Sequence, residues 1–218
     1  LKPCNRFYPN GLPGAGTPGK NPLKAQRVRQ GLYQAIDSAG LHSRTMRNLS
    51  VPAGTMVAPM VHGWSKALDE RAAKYDVEAA KKLLADAGYP QGFALKLDCP
   101  NDRYVNDEAI CQAVTAMWTR IGVKTNLQTA PMAQFVTRVM NNDVSAYLFG
   151  WGVATFDALY SLEALMATKD GKTSAGNYNG GRFSDATLDG MIGQIKVEMD
   201  AAKRDALLAQ ALQRVKDG

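Results

Sequence analysis

Arg103, Asp157, Asn177 and Tyr178 are the polar residues of this 218-residue chain best suited to hold a charged or zwitterionic small molecule. A guanidinium forks onto a carboxylate, and an aspartate pairs with an amine. Trp151 and Thr155 lie close to Asp157, in the stretch Tyr147-Leu-Phe-Gly-Trp-Gly-Val-Ala-Thr-Phe-Asp-Ala-Leu-Tyr. There a short apolar run of strand type ends at a glycine, and Phe156, Leu159, Tyr160, Leu162 and Leu165 follow with helical spacing. A strand that stops at a glycine and hands over to a helix leaves a crevice at its carboxyl end, where open α/β sheets bind ligands. Gly150 and Gly152 let the backbone approach something closely, and Trp151 offers a flat apolar face. The plainer readings are a core aromatic at Trp151 and solvated loop charges at Arg103 and Asp157, paired with each other.

Bond-making chemistry finds little material. The chain has no Gly-x-Ser-x-Gly, no His-Glu-x-x-His and no phosphate-cradling loop. Its two histidines, His42 and His62, come without a Cys-x-x-Cys, so no zinc pattern forms and neither metal nor cofactor is expected. His62 reads as a hydrogen-bonded structural histidine. Acid pairs such as Asp69/Glu70 and Asp107/Glu108 sit at helix starts, where capping explains them.

The elements that must position the candidate residues follow from periodicity and punctuation. Residues 1–22, with four glycines and five prolines, predict an irregular connector. Helices are predicted over Leu23–Asp37 and Ser38–Arg47, and Ser50–Gly63 reads as a loop pinned on a core. Asp76 caps a predicted helix Val77–Ala87, with Gly88 just past its end and Pro90 stopping continuation. Gly92–Cys99 alternates Phe93, Leu95 and Leu97 against Ala94, Lys96 and Asp98, the pattern of a half-buried strand. The polar loop from Pro100 to Asn106 carries Arg103. Asn106 or Asp107 then opens a helix through Arg120, ended by Gly122. Val123–Gln128 is a second strand, Met132–Met140 a helix and Val144–Phe149 a third strand. Residues 168–183 read as loop. Ser184 and Asp185 start a helix Ala186–Met199, and Asp200 starts another, Ala201–Lys216. Helices joining consecutive strands imply a small, mostly parallel sheet flanked by helices, an α/β fold. Parallel strands place Arg103 and Asp157 on the same sheet edge.

Composition bounds the classes. At 45% hydrophobic and 21% charged, the chain has material for a sizeable core, and no apolar run approaches a membrane span. The net charge is +6, yet residues 1–50 alone carry +7 and the remainder sums to −1. Those basic residues lie among glycines and prolines without interleaved aromatics, the pattern of a solvated face and not of a nucleic-acid surface. Cys99 and Cys111 flank the first strand-to-helix loop, close enough to bond; two separate buried thiols are the alternative. The start, Leu1-Lys2-Pro3-Cys4, lacks an apolar leader and predicts an excised or processed piece.

Asn-Pro-Leu-Lys-Ala-Gln-Arg-Val-Arg-Gln-Gly-Leu-Tyr-Gln-Ala-Ile-Asp (21–37) resembles the helix that opens the second lobe of ABC-transporter solute-binding proteins of the peptide/opine/nickel class, family 5. Val61-His-Gly-Trp, Tyr75-Asp-Val-Glu-Ala-Ala-Lys-Lys-Leu-Leu-Ala-Asp-Ala-Gly-Tyr-Pro, Arg120-Ile-Gly-Val, Phe149-Gly-Trp and Gly176-Asn-Tyr extend the likeness over about residues 20–218. The resemblance implies a periplasmic-binding-protein-like lobe, 23–218, whose larger first lobe is missing. It also implies a periplasmic, non-enzymatic binding protein that delivers a small peptide or related solute from an interlobe cleft to an inner-membrane ABC permease. Family members that bind dipeptides hold the ligand carboxylate with an arginine in the loop matching 100–106, which points to Arg103. They hold the amine with an aspartate three residues past the tryptophan, and here that position is Ala154. Asp157 is an imperfect substitute, with Trp151, Thr155, Asn177 and Tyr178 lining the cleft. A protein-interaction module and a small hydrolase are the rival readings.

Overall fold

The computed structural model describes residues 21–141 and 143–217. Of the expected connector over 1–22, only Asn21 and Pro22 are described; the rest lies outside the described residues. Contacts divide the chain into two compact units, each made of two chain segments. The first is Leu1–Pro52 with Ala73–Gly150, and the second is Ala53–Ala72 with Trp151–Gly218. The boundary between Gly150 and Trp151 cuts the stretch in which the candidate residues cluster.

The first unit is built on three parallel strands, β1 (Ala94–Pro100), β2 (Lys124–Ala130) and β3 (Ala146–Tyr147), in the order β2-β1-β3. Its helices are α1 (Gln26–Gln34), α2 (Ser38–Gly40, continuing into a π-turn Leu41–Thr45), α4 (Val77–Asp86), α5 (Asp107–Thr119) and α6 (Met132–Met140), while α3 (Lys66–Asp69) belongs to the second unit. The helix expected from Leu23 begins instead with a 3-10 turn, Pro22–Lys24, capped by the Asn21 side chain, and Ala25 is extended between them. Asp76 caps α4 by accepting from the Ala79 N–H, and Gly88 follows the helix at φ +90°.

The odd-numbered side chains of β1 (Leu95, Leu97 and Cys99) join the core formed with α1, α4 and α5, whose centre is the fully buried Trp118. The Trp118 indole N–H donates to the Leu32 carbonyl (3.0 Å), tying α5 to α1. Cys99 and Cys111 are joined by a disulfide, which fixes the end of β1 to the second turn of α5. A closed loop of this size contributes about 3 kcal/mol of stability.

Asp98 departs from the expected alternation: it is fully buried. The second face of β1 is covered by α6, and Asp98 lies 3.4 Å from both the Arg138 and Lys96 nitrogens. Burial pushes its carboxyl up, against the pull of those two cations. The third strand is far shorter than the six residues of 144–149, because only Ala146 and Tyr147 pair with β1. Val144 and Tyr147 pack with Phe135 and Val139 of α6 in a separate small core.

The second unit is helical: α3, α7 (Ala158–Met166), α8 (Ala186–Val197) and α9 (Ala201–Asp217). Leu162, Leu188, Ile195, Leu208 and Leu212 form its core, sealed by Val57 and Val61 from the segment between the two halves of the first unit. Asp185 caps α8, where Ser184 was the expected cap, and Met199 lies beyond the helix, exposed. Among the described residues no helix is long and apolar enough to cross a membrane.

Candidate functional site

In the first unit, Arg103 lies on the exposed turn between β1 and α5. Its guanidinium carbon stands 5.7 Å from the centroid of the Tyr104 ring, a cation–π contact. The backbone N–H groups of Arg103 and Tyr104 both donate to Asp107 Oδ2 (3.0 Å each), and the Tyr104 hydroxyl donates to the Gly150 carbonyl (3.3 Å). Gly150 is needed here: a Cβ on it would stand 2.6 Å from Tyr104 Cε1. The close approach expected of this glycine is therefore made to a tyrosine of the chain itself.

In the second unit, Trp151 is half-buried against the helical core and stacks on Tyr160 of α7, with ring centroids 5.3 Å apart and planes at 23°. Tyr178 also packs against Trp151, with centroids 5.1 Å apart and planes at 58°. Tyr160 is 38% exposed and Tyr178 43%, so the three rings present an aromatic surface to solvent. Tyr178 is carried there by a folded loop, although residues 168–183 show no periodicity. The Gly176 and Tyr178 N–H groups donate to the Glu163 and Ala164 carbonyls on α7. Asn179, buried, ties the loop off through the Ala167 and Phe183 carbonyls (2.9 and 2.8 Å) and the Phe183 N–H (3.1 Å). Thr155 and Asn177 are exposed near this surface in sequence; the Thr155 hydroxyl accepts from the Asp157 N–H (3.4 Å) and the Asn177 N–H donates to the Ser174 carbonyl.

Asp157 has other employment than a ligand amine. Its Oδ1 caps α7 through the Leu159 N–H (2.9 Å) and accepts from Arg204 Nη2 (3.1 Å). Its Oδ2 accepts from Arg204 Nη1 (2.8 Å) and faces His62 Nδ1 (3.1 Å). A carboxylate offers about four lone-pair positions, and all are taken. Burial pushes this carboxyl up, but the hydrogen bonds from Arg204, His62 and the Leu159 N–H outweigh it and hold the pKa at about 2. His62 also reaches Asp205 through Nε2 (2.6 Å), and its backbone bridges Phe156 and Ala158. The hydrogen bond to Asp157 raises the imidazole above its usual value, against partial burial, with Asp205 adding to the rise. Glu163, the other acid of 151–167, is paired with Lys196 (2.6 Å). No carboxylate of that segment is left unpaired.

These shifts set a pH window. The imidazolium's contribution is fully present below about 6.5 and is lost as pH rises through the raised value. Asp157 contributes above its ordinary 3.8 and loses that contribution as pH falls towards about 2. Thermal melts of the chain and of His62→Gln should therefore differ more at about pH 5 than at about pH 8; an equal gap at both would show that His62 titrates without coupling to the fold.

Reactive pairs are scarce. His42 Nδ1 lies 3.3 Å from the Ser50 hydroxyl, but no carboxylate pairs with that imidazole among the described ion pairs. Among the described residues no group of three or more His, Cys, Asp or Glu side chains could hold a metal ion. Sequence reasoning missed Tyr160 as a member of the aromatic surface, Arg204 as the partner of Asp157, and Tyr104 as the support of Arg103. Only Tyr160 carried a signal, an aromatic on the exposed side of an otherwise apolar helix.

The first unit carries a small parallel sheet flanked by helices and the helical second unit an aromatic surface, so the chain is an α/β protein. Residues 6–173 match the family described as bacterial extracellular solute-binding proteins, family 5, middle region, and the chain belongs to that family. It is similar to the heme-binding protein A of Haemophilus influenzae, 28% identical over 200 residues that make up 88% of this chain and 35% of that protein. Among solved structures it resembles the dipeptide-binding protein of Pseudoalteromonas sp. SM9913 in complex with Met-Leu, with a TM-score of 0.80 at 18% identity, over 94% of this chain and 40% of that one. AgaA of A. tumefaciens R10, in complex with agropinic acid, gives a TM-score of 0.78 at 21% identity, over 94% and 41%. The chain thus spans about two fifths or less of these relatives. All three are binding proteins.

Proposed function

We propose that the chain is part of the substrate-binding component of a periplasmic ABC importer, holding a small peptide or related solute and presenting it to an inner-membrane permease. In this reading residues 23–218 form one lobe of a longer protein, act without chemistry, and close on the solute with a further lobe. The observation that carries it is the Trp151–Tyr160–Tyr178 surface, two exposed tyrosine rings packed on a half-buried tryptophan in a chain of this family. Arg103 is the proposed group for a solute carboxylate, and Thr155 and Asn177 are proposed polar contacts.

Within that class, a solute that does not depend on a free amine is favoured. Ala154 is exposed and cannot hold a cation, Asp157 is saturated and Glu163 is paired. Heme and agropinic acid, named for two of the similar proteins, are not peptides, which supports a solute other than a peptide here. Native mass spectrometry of the intact protein purified from its own cells should show a small molecule carried along; a protein that comes out empty and turns over an ester or peptide would point to the hydrolase instead. Isothermal titration adds the finer test. Met-Leu, the ligand of one relative, should lose less than about 1 kcal/mol of binding on N-acetylation, well below the cost of stranding a charged partner. A loss of binding on acetylation would restore an amine anchor.

A further inference from the structure

The turn between β1 and α5 carries one guanidinium on a firmly tied backbone. Its entry, the end of β1, is tied to α5 by the Cys99–Cys111 disulfide, with both residues buried. Asn106 adopts a left-handed conformation (φ +57°), and the next residue, Asp107, is 4% exposed. Asp107 Oδ2 accepts the Arg103 and Tyr104 N–H groups, and Oδ1 accepts the Glu108 N–H (2.9 Å). Two further polar side chains of the turn bind the scaffold. Asp102 Oδ1 accepts the Met132 N–H that opens α6 (2.7 Å), and Asn106 Nδ2 donates to the Thr45 carbonyl (2.9 Å). Tyr104, fastened to Gly150, lies as a shelf 5.7 Å beneath the guanidinium. Arg103 itself is exposed and makes no ion pair among the described residues.

We propose that Asp107 and Tyr104 are positioning residues that preset the Arg103 guanidinium for a carboxylate-bearing solute. A long, flexible side chain loses rotamer freedom when it binds, and a side chain already held over a ring loses less. Asp107 is suited to this because its carboxylate accepts three backbone N–H groups at a helix start, where the helix dipole favours it, and makes no ion pair with the arginine. The inference rests on the proposed role of Arg103 and adds the residues that make that role effective.

The test uses the whole chain with labelled arginine, following the Arg103 Nε–H resonance by ¹H–¹⁵N NMR against acetate, with acetamide as the uncharged control. In the native chain acetate shifts the resonance and acetamide does not. Asp107→Asn and Tyr104→Leu should weaken the acetate response about five- to tenfold and raise the side chain's picosecond mobility, with acetamide still silent. Tyr104→Phe keeps the ring and should recover most of the response. Should Asp107→Asn not fold, Asp107→Ser, which keeps an acceptor at the helix start, carries the same comparison. Unaltered acetate affinity and mobility in the folded variants would overturn the inference while leaving the role of Arg103 intact. No acetate response in the native chain would remove both.

Discussion

Replacing Asp157 by alanine is expected to destabilise the second unit by about 3 kcal/mol, measured by urea or thermal unfolding. Two losses add up. The α7 cap at the Leu159 N–H disappears, worth about 1 kcal/mol in typical helices. The Arg204 guanidinium, only 22% exposed, loses both arms of a two-bond pair and is left partly desolvated, which adds about 1.5–3 kcal/mol. Asp157→Asn keeps an acceptor for the cap and should lose about half as much. A change below about 0.5 kcal/mol, the range of ordinary surface substitutions, would mean that the carboxylate is not bound into the fold and is available to a ligand amine after all.

Replacing Trp151 by alanine is expected to weaken solute binding by about 2–4 kcal/mol, measured by calorimetry on the intact protein. A tryptophan in the middle of an aromatic contact supplies a large apolar face at little rotamer cost. Its loss also removes the wall against which Tyr160 stacks and Tyr178 leans, so two further rings lose their setting. Trp151→Phe should recover part of the affinity. The fold should survive the alanine better than binding does, because Trp151 sits at the margin of a core centred on Leu162, Leu188 and Leu208. A binding constant unaffected by the change would make Trp151 a packing residue only.

Local signals carried most of the fold. The helix at 77–86 is written in Asp76 and Gly88, its cap and its stop, and the structure follows them. The parallel sheet follows from strands separated by helices, and the spacing of Cys99 and Cys111 admits the bond that the structure contains. What escaped depends on partners distant in sequence. Asp98 looks solvent-facing by alternation, and only the arrival of Arg138 from α6, 40 residues on, covers it. Asp157 looks free in its turn, yet its partners lie 47 residues ahead at Arg204 and 95 behind at His62. The discontinuous units have the same origin, since the apolar loop at 53–72 packs with helices more than 80 residues later. The aromatic surface was half legible: Trp151 and Tyr178 stood out by type, while Tyr160 read as one more apolar position of a helix.

Fluorine NMR of the intact protein labelled with 5-fluorotryptophan reads the central claim at the atom concerned, since the chain has three tryptophans, Trp64, Trp118 and Trp151. On addition of the solute found in the native mass spectrum, the Trp151 resonance should move in a saturable way while that of Trp118, sealed in the first unit's core, stays in place. Saturation of the protein with the Trp151 resonance unmoved would contradict the assignment of the aromatic surface as the place where the solute is held.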